Sequence, residues 1–231
     1  MMDLKKTDPE FMERYEQFAE IEVVNEEGQM LPEDTRYMAV LATLLGCQGI
    51  DMYKVILPRA LKAGLTAVMV KEIVYQSVDY LGIGRVLPFL KATNEIFTKQ
   101  GITLPLEGQA TTTSEDRLEK GIQAQVDIFG DGMRDAWKAG HINRWLASNC
   151  FGDYYTRTGL TLAQREMITF CFLSAQGGCE PQLIAHAKGN MNLGNDKAFL
   201  IRVISQCLPY IGYPRSLNAI TCVNKAVEEI K

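Results

Sequence analysis

Two stretches of the chain decide the fold: residues 64–97 read GLTAVMVKEIVYQSVDYLGIGRVLPFLKATNEIF, and residues 194–227 read GNDKAFLIRVISQCLPYIGYPRSLNAITCVNKAV. A shift of 130 positions aligns them with seven identities, which are Gly64/Gly194, Gln76/Gln206, Tyr80/Tyr210, Gly82/Gly212, Arg85/Arg215, Leu87/Leu217 and Asn94/Asn224. Apolar residues also fall on the same helical stripe in both copies. The pattern predicts one helical unit that occurs twice.

The match continues upstream at a shift of 129 positions, where Arg36 pairs with Arg165 and Gly49 pairs with Gly178. The second copy therefore holds one extra residue between the two blocks. That residue lies in or just after residues 177–179, the stretch where chemistry is most plausible on the sequence alone.

Glycine and proline residues separate apolar stripes of helical length, and no convincing run alternates polar and apolar residues. We therefore predict an all-α fold made of two tandem units. The first unit is assigned to residues 1–99, a polar linker to residues 100–113 and the second unit to residues 114–231. Pro58 is expected to kink its helix. Helices are predicted near residues 9–20, 33–45, 51–63, 67–80, 85–99, 114–138, 142–156, 162–175, 180–191, 196–210 and 215–230.

Composition narrows the class of protein. The net charge is −4 and no basic run stands out, so nucleic acid is not an expected partner. The longest apolar run, residues 37–45, is shorter than the roughly 18 residues a membrane helix needs, and the N-terminus lacks a signal-like apolar region. The six cysteines form neither a Cys-x-x-Cys pair nor a zinc-ligand cluster. We expect a soluble, cytoplasmic protein with reduced thiols and without a metal site.

The candidate site is the segment GGCEPQLIAH at residues 177–186, which follows a very apolar helix. Pro181 suits the first turn of a new helix, which places Cys179 at the N-terminus, where the helix dipole is expected to lower the thiol pKa. Cys179, Gln182 and His186 fall on one face of that helix. Seven residues rise about 10.5 Å, too far for direct proton transfer between Cys179 and His186. A partly buried cysteine beside a core or surface histidine is the competing interpretation, and we interpret His141, the second histidine, as structural.

The two units also resemble a known family. Each has the form of an arginine-led apolar helix, a glycine-rich turn, a short helix and then Tyr-x-Gly-x-(Gly/Pro)-Arg. This order is similar to the carboxymuconolactone decarboxylase family, in the superfamily that includes alkylhydroperoxidase D. The second unit matches better, through Arg165-Glu166, Cys179, His186, Gly194 and residues 210–219. The resemblance implies two alkylhydroperoxidase D-like helical units and a homo-oligomer, expected to be a trimer of two-unit chains.

The resemblance to the decarboxylase branch implies an enzyme that needs no cofactor and acts on a small acidic, ring-derived substrate such as a lactone. His186 would donate a proton, and Glu166 would set its protonation. Arg165, Gln182 and Arg215 are the candidates for substrate binding. These roles are hypotheses that follow from position in the motif.

Two other functions stay open. A thiol-dependent peroxidase would act through Cys179, but Gln182 stands where alkylhydroperoxidase D has its second cysteine, so a dithiol cycle cannot run. A non-catalytic oligomeric scaffold or small-molecule binding protein is the third hypothesis. The first unit has Tyr37 in place of Glu166 and Ile56 or Leu57 in place of His186. We therefore expect it to be a structural partner of the second unit.

Overall fold

The computed structural model describes residues 4–230, and this part of the chain contains helices and no strands. The first unit comprises α1 (Leu4–Thr7), α2 (Pro9–Glu16), a π-helical segment (Gln17–Glu22), α3 (Val23–Asn25), α4 (Glu33–Gly46), α5 (Ile50–Lys62), α6 (Ala67–Leu81) and α7 (Ile83–Lys99). The second comprises α8 (Arg117–Phe129), two 3₁₀ turns (Asp131–Met133 and Ala136–Ala139), α9 (His141–Trp145), a π-helical segment (Leu146–Tyr155), α10 (Leu162–Gln176), α11 (Glu180–Asn192) and α12 (Lys197–Ile230).

Local chemistry sets the ends of α10. Thr161 accepts from the Gln164 amide at 3.2 Å, and the Gln164 side chain accepts from the Thr161 amide at 2.9 Å, which completes a capping box. Gly177 ends the helix at a φ of 70°, a backbone conformation that favours glycine. Gly82 and Gly212 break the later helices of the two units, each at a φ of 76°. The repeat is therefore visible in the backbone.

The predicted bounds of one helix are wrong. The predicted helix at residues 114–138 begins only at Arg117 and ends at Phe129, because Gly130 takes a φ of 90°. Pro58 lies inside helix α5, which continues through it, and the expected kink stays a prediction. Lys54, whose carbonyl loses its partner to the proline, is exposed, so water can solvate that carbonyl.

Helices α4 and α10, the repeat-related core helices, pack against each other at the centre of the molecule. A methyl group added at Gly46 would lie 2.7 Å from the Phe172 carbonyl oxygen, so the two backbones approach closely. The main apolar core contains buried residues of both units. The units therefore share one core instead of each burying its own.

Helix α8 and the π-helical segment 146–155 form a second layer beside α11. They are in backbone contact at Gly121 and Gly152, where any larger side chain would collide with the opposite carbonyl. A smaller core of Ala124, Ile128, Cys150, Phe151 and Tyr155 fills this layer. The layer closes one side of the candidate site. Within residues 4–230, no helix is long and apolar enough to cross a membrane.

Candidate functional site

A cavity of about 740 Å³ lies where α6 of the first unit meets α8, α11 and the π-helical segment of the second. Its walls are mainly apolar, with a small number of polar side chains among them. The lining residues are Asp79, Tyr80, Gln125, Phe129, Met133, Leu146, Phe151, Leu173, Gln176, Cys179, Gln182, Ala185, His186, Lys188, Asn192 and Ile230. A concave, mostly apolar cavity with convergent polar groups is the usual form of a small-molecule site.

The central polar pair of the cavity is His186 on α11 and Glu166 on α10. The His186 Nδ1 atom lies 2.8 Å from Glu166 Oε2, and Glu166 is completely buried. A carboxylate can only accept, so it holds the proton on Nδ1 and leaves Nε2 for another partner. Because His186 also lines the cavity, this arrangement is suited to proton transfer with a bound molecule.

Tyrosines from both units support the second oxygen of Glu166. The Tyr155 hydroxyl donates to Glu166 Oε1 at 2.8 Å, and the Tyr80 hydroxyl lies 2.8 Å from that of Tyr155. Since Tyr155 gives its proton to Glu166, Tyr80 donates to Tyr155. Burial raises the pKa of both tyrosines well above the usual value, so both remain protonated donors. The first unit thus takes part in the site through Tyr80.

Aromatic packing and one glycine fix the pair. The His186 ring contacts the Tyr80 and Phe129 rings edge-on, with centroids 5.6 Å and 5.4 Å away. Gly189, one turn after His186, leaves the space that the Glu166 carboxylate occupies. A methyl group there would lie 2.7 Å from Glu166 Oε2. Only glycine at this position lets the carboxylate reach His186 without displacement.

Comparison with known proteins identifies the family. The model of the carboxymuconolactone decarboxylase family matches residues 9–95 and 141–225, which together make up more than half of the chain. The chain belongs to the carboxymuconolactone decarboxylase family. A protein from Burkholderia xenovorans LB400, provisionally named a gamma-carboxymuconolactone decarboxylase subunit, has a similar fold, with a TM-score of 0.53 and 20% identity. The match covers 99% of this chain and 90% of that one. A search of curated proteins gives no significant match.

Cys179 takes the place that the family motif predicts, at the N-terminus of α11 and on the cavity wall. The direction of its pKa shift was predicted wrongly. Burial raises the pKa of the Cys179 thiol, with only partial opposition from the Gln176 amide 3.7 Å away. The thiol donates to the Leu173 carbonyl at 3.4 Å. Desolvation therefore sets the direction of the shift, and the protonated thiol is the favoured form.

Gln182 lines the same cavity, as its spacing from Cys179 and His186 on α11 predicts. Its side chain is exposed at the cavity mouth, and no hydrogen bond joins it to either residue in the described part of the chain. The structure therefore brings Glu166, Cys179, Gln182 and His186 together. Whether each has a catalytic role stays a prediction.

The prediction that Arg165 binds substrate is wrong, because the side chain does not reach the cavity. Arg165 is completely buried, and its guanidinium contacts Glu72 at 3.0 Å and Gln76 at 2.9 Å, both on α6 of the first unit. Arg157 also pairs with Glu72, at 2.9 Å. A substrate in the cavity cannot reach Arg165. This residue instead fastens the two units of the family fold to each other.

Arg215 also lies outside the cavity lining. Its guanidinium donates to the carbonyl of Ala175 in the last turn of α10, where a cation satisfies an unpaired carbonyl. The prediction of substrate binding is therefore not met by its position. Arg215 instead caps the C-terminal end of α10.

Sequence reasoning missed four residues of the site: Asp79, Tyr80, Gln125 and Tyr155. Tyr80 was visible as a repeat identity with Tyr210, but its position against the other unit was not. Asp79 is the strongest omission, since burial raises its pKa to about 7. No spacing rule connects it to α11, because its place depends on how the units pack.

The first unit has a counterpart cavity of about 140 Å³, lined in part by Arg36, Tyr37, Ile56 and Tyr210. Tyr210 of the second unit stands here as Tyr80 of the first stands at the larger cavity. Tyr37 and Ile56 replace the acid and the histidine. The first unit of this family member thus lacks a counterpart of the Glu166–His186 hydrogen bond. In residues 4–230, no group of three or more His, Cys, Asp or Glu side chains is arranged to hold a metal ion.

Proposed function

We propose that the chain is a cofactor-independent decarboxylase of a small carboxylated ring compound, such as an unsaturated lactone, and that His186 is its proton donor. The observation that carries this proposal is the hydrogen bond between His186 and the buried Glu166 at the wall of a mostly apolar cavity. Membership of the carboxymuconolactone decarboxylase family supports the class of reaction.

In the proposed step, the bond between the ring carbon and the carboxylate breaks and CO₂ leaves. The electron pair of that bond moves through the unsaturated ring to the carbon that accepts a proton. The imidazolium of His186 gives that proton from Nε2, and Glu166 stabilises the charged ring through Nδ1. Water then returns a proton to His186. The net reaction consumes one proton and releases one CO₂.

The apolar cavity assists the loss of CO₂. A carboxylate is poorly solvated beside Phe129, Phe151 and Leu173, and its charge spreads out as CO₂ forms. The cavity therefore destabilises the reactant more than the transition state. Loss of CO₂ by this route needs no arginine at the departing group.

The cavity also limits the charge of the substrate. Arg165 and Arg215 do not line it, and Lys188, which does, is paired with Glu229. A molecule with several carboxylates would find too few cations in the described residues. We therefore propose a substrate with a single carboxylate in place of the more acidic compound expected from the family motif.

No observation favours the thiol peroxidase hypothesis over the decarboxylase. Peroxide reduction needs a thiolate, and burial raises the pKa of Cys179 instead of lowering it. A protein that only binds a small molecule does not need the Glu166–Tyr155–Tyr80 hydrogen-bond network. The decarboxylase uses that network directly.

We also propose that the chain forms a trimer in the cytoplasm. Exposed apolar residues recur at matching positions of the repeat, at Ile83 and Tyr213 and again at Leu87 and Leu217. The six free cysteines fit a reducing compartment. Sedimentation should give a trimer for the native chain and a monomer for Leu87→Asp combined with Leu217→Asp. A monomeric native chain would contradict the assembly.

The experiment that tests the reaction is CO₂ release and ultraviolet change on mixing the protein with 4-carboxymuconolactone and with lactones that carry one carboxylate. His186→Ala should abolish turnover, and His141→Ala is the matched control, because His141 lies outside the cavity. Turnover that survives in His186→Ala, or absence of turnover with every lactone, would overturn the proposal.

A further inference from the structure

We infer that Asp79 and Gln125 form a recognition subsite for a hydroxyl group at the side of the cavity formed by α6 and α8, and that the natural ligand is a hydroxyl-bearing, largely apolar small molecule. The inference rests on the proposed function for the identity of the cavity as the substrate site. Its test measures binding, so it does not depend on turnover.

Gln125 supplies the first observation. The residue lies on α8, is 2% exposed and lines the cavity. Its Oε1 atom is buried and has no hydrogen-bond partner in the described residues. Buried polar atoms in folded proteins are almost always satisfied, so an orphaned amide oxygen on a residue that lines the cavity points to a donor on the bound molecule.

Asp79 supplies the second observation, from the other unit. Its Oδ1 atom accepts from the Asn149 side chain at 2.8 Å, while the buried Oδ2 atom has no hydrogen-bond partner in residues 4–230. The Cys150 thiol lies beside the carboxyl and partly opposes the effect of burial on its pKa. No described cation forms an ion pair with Asp79. Burial raises the Asp79 pKa to about 7, so the neutral acid is the main form below neutral pH, where the binding test is done. With Oδ1 engaged as an acceptor, the proton belongs on Oδ2, where it can be donated.

The two groups together select a hydroxyl. A hydroxyl accepts one hydrogen bond and donates another, and so it matches a protonated Asp79 and the Gln125 oxygen at once. A methyl ether can accept but cannot donate, and it leaves Gln125 unsatisfied. An apolar group satisfies neither residue. Sites that hydrogen-bond a substrate hydroxyl discriminate strongly against analogues that lack it.

The position of Gln125 in the sequence sets this subsite apart from the family pattern. The family model matches residues 9–95 and 141–225, so α8, with Gln125 and Phe129, lies between the matched regions. The catalytic pair Glu166 and His186 lies within them. Asp79 lies within the first matched region, so only the Gln125 half of the subsite comes from a segment that the shared pattern does not describe.

The test compares binding of phenol and anisole, which differ by a methyl group on the oxygen, by calorimetry. Native protein should bind phenol about tenfold more tightly. Gln125→Leu and Asp79→Ala should bring the ratio close to one. Gln123→Leu and Asp127→Ala, on the exposed face of α8, are matched controls that should keep it.

Equal affinity for the two probes in native protein, or a preference that persists in both Gln125→Leu and Asp79→Ala, would overturn the subsite. Thermal melts establish that each variant is folded, and Gln125→Met replaces Gln125→Leu if the latter is not. A normal probe preference without any decarboxylation would overturn the proposed function alone. Decarboxylation without the preference would overturn the subsite alone.

Discussion

Substitution of Gly189 by alanine tests the geometry of the Glu166–His186 pair without replacing either residue. The added methyl group would lie 2.7 Å from Glu166 Oε2 and 2.8 Å from both Ile128 and Phe129. The carboxylate would have to retreat by about 0.7 Å to restore an ordinary contact. That movement stretches the hydrogen bond between Glu166 and His186, now 2.8 Å, to the limit of bonding distance.

The expected magnitudes follow from this displacement. A charge-assisted hydrogen bond contributes about 1.5–3 kcal/mol, so its loss should slow turnover by about 10- to 150-fold. Alanine gains about 1 kcal/mol of helix propensity over glycine, while overpacking costs about 1–3 kcal/mol. The net loss of stability should therefore be about 0–2 kcal/mol, and the variant should fold.

The assay combines turnover with nitrogen NMR of the imidazole rings. The chain has only two histidines, so the His186 signals can be assigned by comparison with His141→Ala. Gly189→Ala should lose the protected Nδ1 proton of His186. Gly84→Ala is the control, because a methyl group at Gly84 meets no atom within 4 Å. Full turnover together with an unchanged Nδ1 signal in Gly189→Ala would refute the reasoning.

Three further predictions concern residues around the pair. Cys179 should react with iodoacetamide more slowly than free cysteine near neutral pH, because burial raises its pKa; faster labelling, measured by peptide mass spectrometry, would restore the peroxidase hypothesis. The raised Asp79 pKa, about 7 in the folded state against about 4 when unfolded, means that stability falls as pH rises between those values. Asp79→Asn should therefore be more stable than the native chain at pH 8, by on the order of 2–4 kcal/mol in urea unfolding, and nearly equal at pH 4; a constant difference would contradict the assignment. Arg165→Met should lower the free energy of unfolding by about 3 kcal/mol, because Glu72 then keeps only Arg157 as a cationic partner, and it should not change binding of the probes in the cavity. Weaker binding at native stability would show that Arg165 contacts the bound molecule.

The sequence alone was sufficient for the fold because the determinants of the helices are local. The capping box at Thr161 and the positive-φ Gly177 define α10 from nearby residues. The repeat identity of Gly82 and Gly212 likewise marked equivalent breaks. The end of α8 at Gly130 was not predicted, although it is also set locally, because apolar residues continue beyond Gly130 in the sequence.

The site could be predicted only in part because half of it depends on contacts between the units. The arrangement of Cys179, Gln182 and His186 on α11 follows from helical spacing. The direction of the Arg165 side chain does not, because its partner Glu72 lies on α6 of the other unit. Asp79 and Tyr80 reach the cavity through the same packing. The motif predicts which residues are candidates, and the packing of the two units determines which of them are in contact.

The direction of the Cys179 pKa shift also depends on the folded structure and could not be predicted from the sequence. The helix N-terminus was recognised from Pro181, and it favours a thiolate. The burial of the thiol, which opposes ionisation, is visible only in the folded chain. Burial then decided the direction of the shift.

The most direct test of the central claim, that His186 delivers the proton at this cavity, is chemical rescue of His186→Ala by imidazole. The truncation leaves space beside Glu166 in a cavity of about 740 Å³, enough for an added imidazole ring. We predict that the variant is inactive in CO₂ release from a carboxylated lactone and that imidazole restores turnover in proportion to its concentration. Turnover by the variant without imidazole would contradict the claim. So would a folded, inactive variant that imidazole fails to rescue while the native protein is active.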